Sequence, residues 1–326
     1  AEEKENTLGI QADKIYIAKS PPRSIEKTTF PQLRILGFST VSYSQKGSPK
    51  PDNNPVSVVS VATNNGKNFQ FVVEDSDDKS VLEAFIKCVR DFDPDVIVGY
   101  GTNRHDWNYL IARAKRLGLR LLVDRTDTEP HMSVYGHISV TGRANVDFYD
   151  FADELPEVKV KTLKNVADFL GITETGKHTT IEETELASYW EDPRKRPVLL
   201  KFSKESAQLV MGISDKMLDF AMQLSSLVGM PLDHIGTAAV GFRIESYLMR
   251  RAYKIGELIP KRTERPYIPY AGAVVLEPKP GLHENIAVLD FKAMYPNIMI
   301  IKNISPDTYV ASPKQEPPRE VNVAPE

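Results

Sequence analysis

Cysteine is almost missing from this chain of 326 residues: Cys88 stands alone, so no intrachain disulfide is possible. A disulfide-stapled scaffold is excluded, and a reducing, cytoplasmic setting is expected. The neighbours Phe85, Ile86 and Val89 predict a buried, inert thiol. Long hydrophobic runs are missing too. No stretch approaches the roughly 20 apolar residues of a membrane span, so no membrane association is expected. The opening Ala1-Glu2-Glu3-Lys4 lacks the character of a signal peptide. There is no large excess of either charge. Lys+Arg 41 against Asp+Glu 44 leaves −3, so no global field recruits nucleic acid and any DNA-binding surface must be local. The histidines show no HExxH spacing, and there is no P-loop or dinucleotide-binding glycine pattern.

What remains has the composition of a folded protein. Hydrophobic residues at 41% and charged residues at 26% exclude a mainly disordered chain. The length suggests two domains, or three small ones.

Residues 1–30 are polar and broken by Pro21-Pro22, and read as a linker or the remnant of a preceding domain. Leu33 to Phe38, Pro55 to Ala62 and Asn68 to Val73 are strand-like, with a turn at Asn64-Asn65-Gly66-Lys67. A helix is expected over about 77–92, then a buried strand at Val96 to Tyr100 and a helix from Trp107 to Leu117. Asn145 to Phe151 reads as a strand and Leu163 to Leu170 as a helix. A long helix over about 203–229 carries Leu209, Ile213, Met217, Phe220, Leu224 and Leu227 on one face, with Pro231 as its stop. Strands alternating with helices over 31–230 describe an α/β domain with a mixed sheet. The segment 231–326 opens with an amphipathic helix through Tyr253 and reaches an apolar strand at Ile286-Ala287-Val288-Leu289-Asp290.

That last strand carries the sharpest chemical signal. It delivers Asp290 at its end, and Tyr295-Pro296 follows five residues on. A strand-end carboxylate can hold Mg²⁺ while substrate phosphates complete the shell, and a Tyr just beyond can pack on a sugar. From spacing alone, a hydrogen-bonding or capping Asp is the commoner reading, and a packed core Tyr stays open.

Asp290-Phe291-Lys292-Ala293-Met294-Tyr295-Pro296-Asn297-Ile298 resembles motif A of family B DNA polymerases of the archaeal kind, DFxSLYPSI. Asn303-Ile304-Ser305-Pro306-Asp307-Thr308 downstream and Tyr270-Ala271-Gly272-Ala273 upstream, the latter similar to YxGG/A, fall in the family's order. Gly99 to Leu110 resembles the second exonuclease motif, with Asn103 and Asp106 in place, and Leu163 to Gly171 the segment leading to the third. The resemblance covers about 10–311. It implies a ribonuclease H-like 3′–5′ exonuclease domain over 31–230 and the beginning of a palm over 231–326. It also implies that Asp290 and the backbone carbonyl of Phe291 bind catalytic Mg²⁺, two ions in a complete polymerase. Tyr295 would exclude ribose, and Tyr270 and Gly272 would contact the template. Implied partners are primer-template or single-stranded DNA, deoxynucleoside triphosphates and replication proteins.

The exonuclease motifs depart from the pattern. The family places four carboxylates around two metals, as DxE, one Asp in the second motif, and YxxxD. Here Ser39 and Val41 stand at DxE, and Phe202 and Ser206 at YxxxD; only Asp106 keeps its acid. One carboxylate cannot hold two hard dications, so the nuclease is expected to be inactive and Asp106 to be a structural hydrogen-bonding residue. Glu205 is one residue out of register, which turns it about 100° away on a helix. Motifs B and C do not occur within these residues, so the chain is not expected to polymerise unless they are supplied.

DNA contact is suggested by Arg250, Arg251, Lys254, Lys261, Arg262 and Arg265, which face only Glu257 and Glu264 in that stretch and lie near Tyr253, Tyr267 and Tyr270. A solvated helix face gives the same pattern. Two other readings stay open: a non-catalytic DNA-binding or replication scaffold module, and an active exonuclease with displaced ligands.

Overall fold

The computed structural model describes residues 2–7, 9–20, 32–74, 77–173, 178–259, 261, 274, 276–305 and 308. The chain divides into two compact units, Ala1–Lys261 and Arg262–Glu326. In the first, β1 (Glu2–Lys4) and β2 (Ile15–Ile17) pair antiparallel as a small separate sheet. The main sheet begins with an antiparallel meander, β3 (Ile35–Ser42), β4 (Val56–Thr63) and β5 (Asn68–Val72). After α1 (Asp78–Phe92) the chain enters β6 (Val96–Gly99), parallel to β3. It then passes through α2 (Asp106–Arg116) and the short hairpin of β7 (His131–Met132) and β8 (Ile138–Ser139). The last strand is β9 (Ala144–Asp147), parallel to β6. The order β5-β4-β3-β6-β9 is the mixed sheet expected from the sequence.

Helices then accumulate: α3 (Phe148–Phe151), α4 (Leu163–Phe169), α5 (Leu186–Glu191), α6 (Arg196–Val228), α7 (Leu232–Ile235) and α8 (Val240–Ile255). The sheet is covered on both faces. On one, Leu36 and Phe38 pack with Leu82 and Phe85 of α1 and Trp107 and Leu110 of α2. Phe38 meets Trp107 edge-on at 5.0 Å. On the other, Val98 and Val146 pack with Val210, Ile213 and Ala221 of α6. β4, the strand between β3 and β5, is buried along its whole length. Its Val-Ser-Val-Val-Ser-Val-Ala-Thr sequence suits a strand covered on both sides.

Three expectations need correcting. The strand expected through Phe151 ends at Asp147, whose side chain accepts the Tyr149 N–H and starts α3. A carboxylate at that position caps a helix and competes with the ladder. The long helix starts at Arg196, with Pro197 in its first turn, and it stops at Gly229 in the left-handed region (φ 79°), ahead of Pro231. In the second unit, Ile286 to Asp290 forms no strand. Val288 and Leu289 are 90% exposed, and no described residue offers them a ladder. A strand is a property of pairing, so an apolar run with no neighbour stays irregular. The helix that follows, α9 (Met294–Ile301), has every residue exposed.

A buried ion pair ties α1 to α2. Asp78 accepts from Arg113 Nε at 2.7 Å and Nη2 at 3.0 Å, and also takes the Val56 N–H at 2.9 Å. Arg113 Nη1 reaches on to the Pro51 carbonyl at 2.8 Å and so fixes the loop before β4. Asp78→Ala would strand a guanidinium in the interior. It should cost about 3–5 kcal/mol in chemical denaturation, with little change in the denaturant slope.

Cys88 is half-buried on α1, and burial together with nearby Asp91 pushes its thiol up to about 11. Only the thiolate is nucleophilic, so the native chain should label slowly at neutral pH. The labelling rate with a disulfide reagent should still be climbing at about pH 10, while the urea-unfolded chain levels off near the ordinary ~8.5.

Candidate functional site

Two sets of elements carry the exonuclease-type positions. Ser39 and Val41 lie on β3, opposite Ser60 and Val58 of β4 in the antiparallel register. Directly opposed residues share a sheet face. The Ser60 hydroxyl is 2.7 Å from that of Ser203 on α6, so this face is turned toward α6. The approach is close: a Cβ added at Gly37 would lie 3.0 Å from Met211 Sδ. Val41, where the DxE pattern has Glu, is buried in an apolar cluster with Val58, Ile181, Trp190 and Leu199. Phe202, where the YxxxD pattern has Tyr, packs against the same cluster, as do Tyr43 and Leu200. Ser206 is buried, and its hydroxyl turns back onto its own helix, donating to the Phe202 carbonyl at 2.9 Å.

Asp106 opens α2. It accepts from the Thr40 N–H at 3.1 Å and also from the Thr40 hydroxyl. The reason is topological. β6 pairs with β3 only over residues 35–37, so the next part of β3 has no strand on that side. The Asp106 carboxylate takes the place of a strand carbonyl there. Burial pushes the carboxyl up, the Thr40 bonds pull it down, and the charge of Asp147 adds to the rise; the net direction is upward.

Two residues not singled out from sequence hold the loop before α2. Asp147 is buried and accepts the N–H groups of Gly101 at 2.7 Å, Asn103 at 2.8 Å and Tyr149 at 3.0 Å. Burial raises its carboxyl against those bonds. Asn145 sits beneath: it accepts from Trp107 Nε1 at 3.0 Å and donates to Asn103 Oδ1 at 3.0 Å. A strand-end Asp followed by aromatics in Asp147-Phe148-Tyr149 was the available signal for such a cap.

Glu205 is directed elsewhere. It accepts the Thr179 N–H at 3.0 Å and lies 3.6 Å from Lys201 and 3.9 Å from His178. Burial alone would raise its carboxyl, but the Thr179 bonds and the neighbouring Lys201 and His178 outweigh it and hold it below its ordinary value. Among the described residues no group of three or more His, Cys, Asp or Glu is placed to hold a metal ion. Ser39, Val41 and Ser206 carry no carboxylate, so together with Asp106 they make a donor set that does not fit two dications.

In the second unit, Asp290 and Phe291 lie exposed just before α9, and Tyr295 is 73% exposed within it. Ala293, at the amino end of α9, takes a left-handed φ of 50°. In the basic run, Arg250 Nη1 donates to the carbonyls of Ser226 at 2.9 Å and Leu227 at 3.3 Å, near the carboxyl end of α6. Arg251 and Lys261 are exposed. Tyr270, Gly272, Arg262 and Arg265 lie outside the described residues.

An α/β exonuclease-type domain followed by a polymerase-type segment is the class these features define. Residues 2–166 match the model of the DNA polymerase family B exonuclease domain, and residues 231–324 that of DNA polymerase family B. The chain belongs to the family B DNA polymerases. DNA polymerase 2 of Aeropyrum pernix is 45% identical over 322 residues, 98% of this chain and 40% of that protein. The DNA polymerase of Archaeoglobus fulgidus is 38% identical over 285 residues, 87% of this chain and 36% of the relative. A solved family B DNA polymerase from the hyperthermophilic archaeon Pyrobaculum calidifontis superposes with a TM-score of 0.75 at 48% identity, covering 91% of this chain and 39% of that one. The chain thus spans about 40% of the length of the A. pernix relative. Among the described residues no helix is long and apolar enough to cross a membrane.

Asp106→Ala would leave the Thr40 N–H without its acceptor. In metal-free buffer the variant should lose about 1–3 kcal/mol of stability. A carboxylate kept for metal binding would instead leave stability unchanged or raised on removal, so denaturation with and without Mg²⁺ separates the two roles.

Proposed function

We propose that this chain supplies the exonuclease-like domain and the motif A segment of a family B DNA polymerase acting in replication or repair, with 3′→5′ cleavage lost. One observation carries the reading: Val41 and Phe202, at two positions of the cleavage motifs, pack around the same apolar cluster as Trp190 and Leu199. Two-metal phosphodiester hydrolysis needs several carboxylates to neutralise the ions and to place a water in line with the leaving oxygen. A hydroxyl is a poor replacement for a carboxylate, and a valine supplies no donor. Asp106, held by Thr40, orders the strand end and carries no hydrolytic step.

The polymerase side is read from motif A. Asp290 and the Phe291 carbonyl are the donors this chain offers to Mg²⁺, which in a complete polymerase would bind as two ions and neutralise charge on the triphosphate. Tyr295 would lie against the sugar and select deoxyribose. The second acidic motif and the triphosphate-binding lysine must come from elsewhere in the polymerase for nucleotidyl transfer to occur. The DNA partner is primer-template or single-stranded DNA. Arg251, Lys254 and Lys261 are exposed cations of the basic run available to phosphates, while Arg250 is engaged at the end of α6.

The test is degradation of 3′-end-labelled single-stranded DNA with Mg²⁺ and then Mn²⁺, beside Asp106→Ala. The expected result is no cleavage by either protein. Metal-dependent cleavage that vanishes in Asp106→Ala would overturn the reading and show an active exonuclease with displaced ligands. A gel shift in the same samples should weaken steeply with salt and be indifferent to chelator.

A further inference from the structure

The free edge of the main sheet has the features of a peptide-binding groove. β5 is hydrogen-bonded to β4 on one side only. The Thr63 N–H bonds to the Lys67 carbonyl, and the Val73 N–H to the Ser57 carbonyl. Bonded and non-bonded pairs alternate along an antiparallel ladder. Residues 67, 69, 71 and 73 therefore turn their backbone groups toward β4, and Asn68, Gln70 and Val72 turn theirs outward. No described residue pairs with those outward groups. Sheet edges are commonly blunted by lysine, proline or a bulge. The Asn-Phe-Gln-Phe-Val sequence of β5 has neither residue, and its register against β4 is unbroken.

Side chains alternate as well. Gln70 Nε2 donates to Ser60 Oγ at 3.0 Å and to the Leu200 carbonyl at 2.8 Å, which puts the even positions on the α6 face. Lys67, Phe69 and Phe71 lie on the other face. With Cys88 and Phe92 of α1 they line a cavity of about 360 Å³ between the edge strand and that helix. Phe69 is 38% exposed at its mouth. The rim carries Lys67, which has no ion-pair partner among the described residues, and Lys87, which is 2.6 Å from Asp91. Two ammonium groups against one carboxylate leave the rim positive.

We propose that β5 and α1 form a docking groove for an extended, acidic segment of a partner protein. The segment adds as a strand along β5 through the outward groups of Asn68, Gln70 and Val72. It seats one bulky apolar side chain among Phe69, Phe71 and Phe92 and brings carboxylates toward Lys67 and Lys87. An open edge beside an apolar cavity divides the work as strand addition does: main-chain bonds hold the peptide, and a pocket taking alternate side chains selects it. The groove is independent of the exonuclease-type positions.

The test uses a fluorescein-labelled octapeptide of alternating threonine and phenylalanine flanked by glutamates, with two versions N-methylated at every second amide, one in each frame. The expected result is saturable binding of the parent peptide with slowed hydrogen exchange at Asn68, Gln70 and Val72, and a loss of roughly tenfold or more in one methylated frame only. Phe71→Ala should weaken binding roughly tenfold. Lys67→Glu, at the solvent-exposed rim, should weaken it with an unchanged circular dichroism spectrum, so a packing defect in Phe71→Ala does not decide the matter. No saturable binding up to about 1 mM, equal binding by both methylated frames, or indifference to Lys67→Glu would overturn the proposal. Protection of the same amides that rises with protein concentration alone, with dimers in sedimentation, would assign the edge to a second copy and overturn it as well.

Discussion

The packing of α6 across β3 and β4 is the constraint on which the rest of the unit depends. It needs small groups where helix and sheet meet, and it has them: Gly37 against Met211, and Ser60 bonded to Ser203. The same seam carries every exonuclease-type position except Asp106. A family member that cleaves DNA must leave room for water and metal beside its acids. Here the seam continues as core, since Val41 and Phe202 join Val58, Trp190 and Leu199.

Asp106 shows how one residue type can serve two ends at one place. The parallel strand β6 is shorter than β3, so β3 runs past it with a backbone donor left open. A carboxylate at the start of α2 satisfies that donor whether or not a metal is present. The loop that delivers it is itself held by Asp147, which gathers three backbone N–H groups, and by the Asn145–Trp107 contact underneath. The local hydrogen bonds therefore give Asp106 a place in the fold without a metal.

Much of the first unit was legible in the sequence because its signals are local. The β-branched run of β4, the apolar face of α1 and the turn at Asn64 to Lys67 each name their element without help from distant residues. What was not legible depended on partners. Asn145 to Phe151 has strand-like composition throughout, yet the Asp147 side chain wins the Tyr149 N–H and turns the chain into α3. Ile286 to Asp290 has the composition of a buried strand, and the described residues offer it neither cover nor ladder. The motifs proposed the site positions, but only the packed neighbours show that Val41 and Phe202 lie in one apolar cluster. No periodicity in the sequence announces that Val41 and Phe202, far apart in the chain, meet around Trp190.

The energetics of the seam suit the proposed loss of cleavage. Four carboxylates converging on one cleft repel one another. Two unit charges 4 Å apart interact by about 4 kcal/mol at an effective dielectric of 20, and burial adds a desolvation cost that a bound dication must offset. On the proposed reading, an apolar side chain at one of these positions, Val41, and hydroxyls at two more, Ser39 and Ser206, leave Asp106 as the one acid and remove the repulsion and the need for an ion together. The fold then rests on burial and on backbone-satisfying bonds such as Asp106 to Thr40, neither of which calls for metal. The proposed loss of cleavage is therefore compatible with a stable domain.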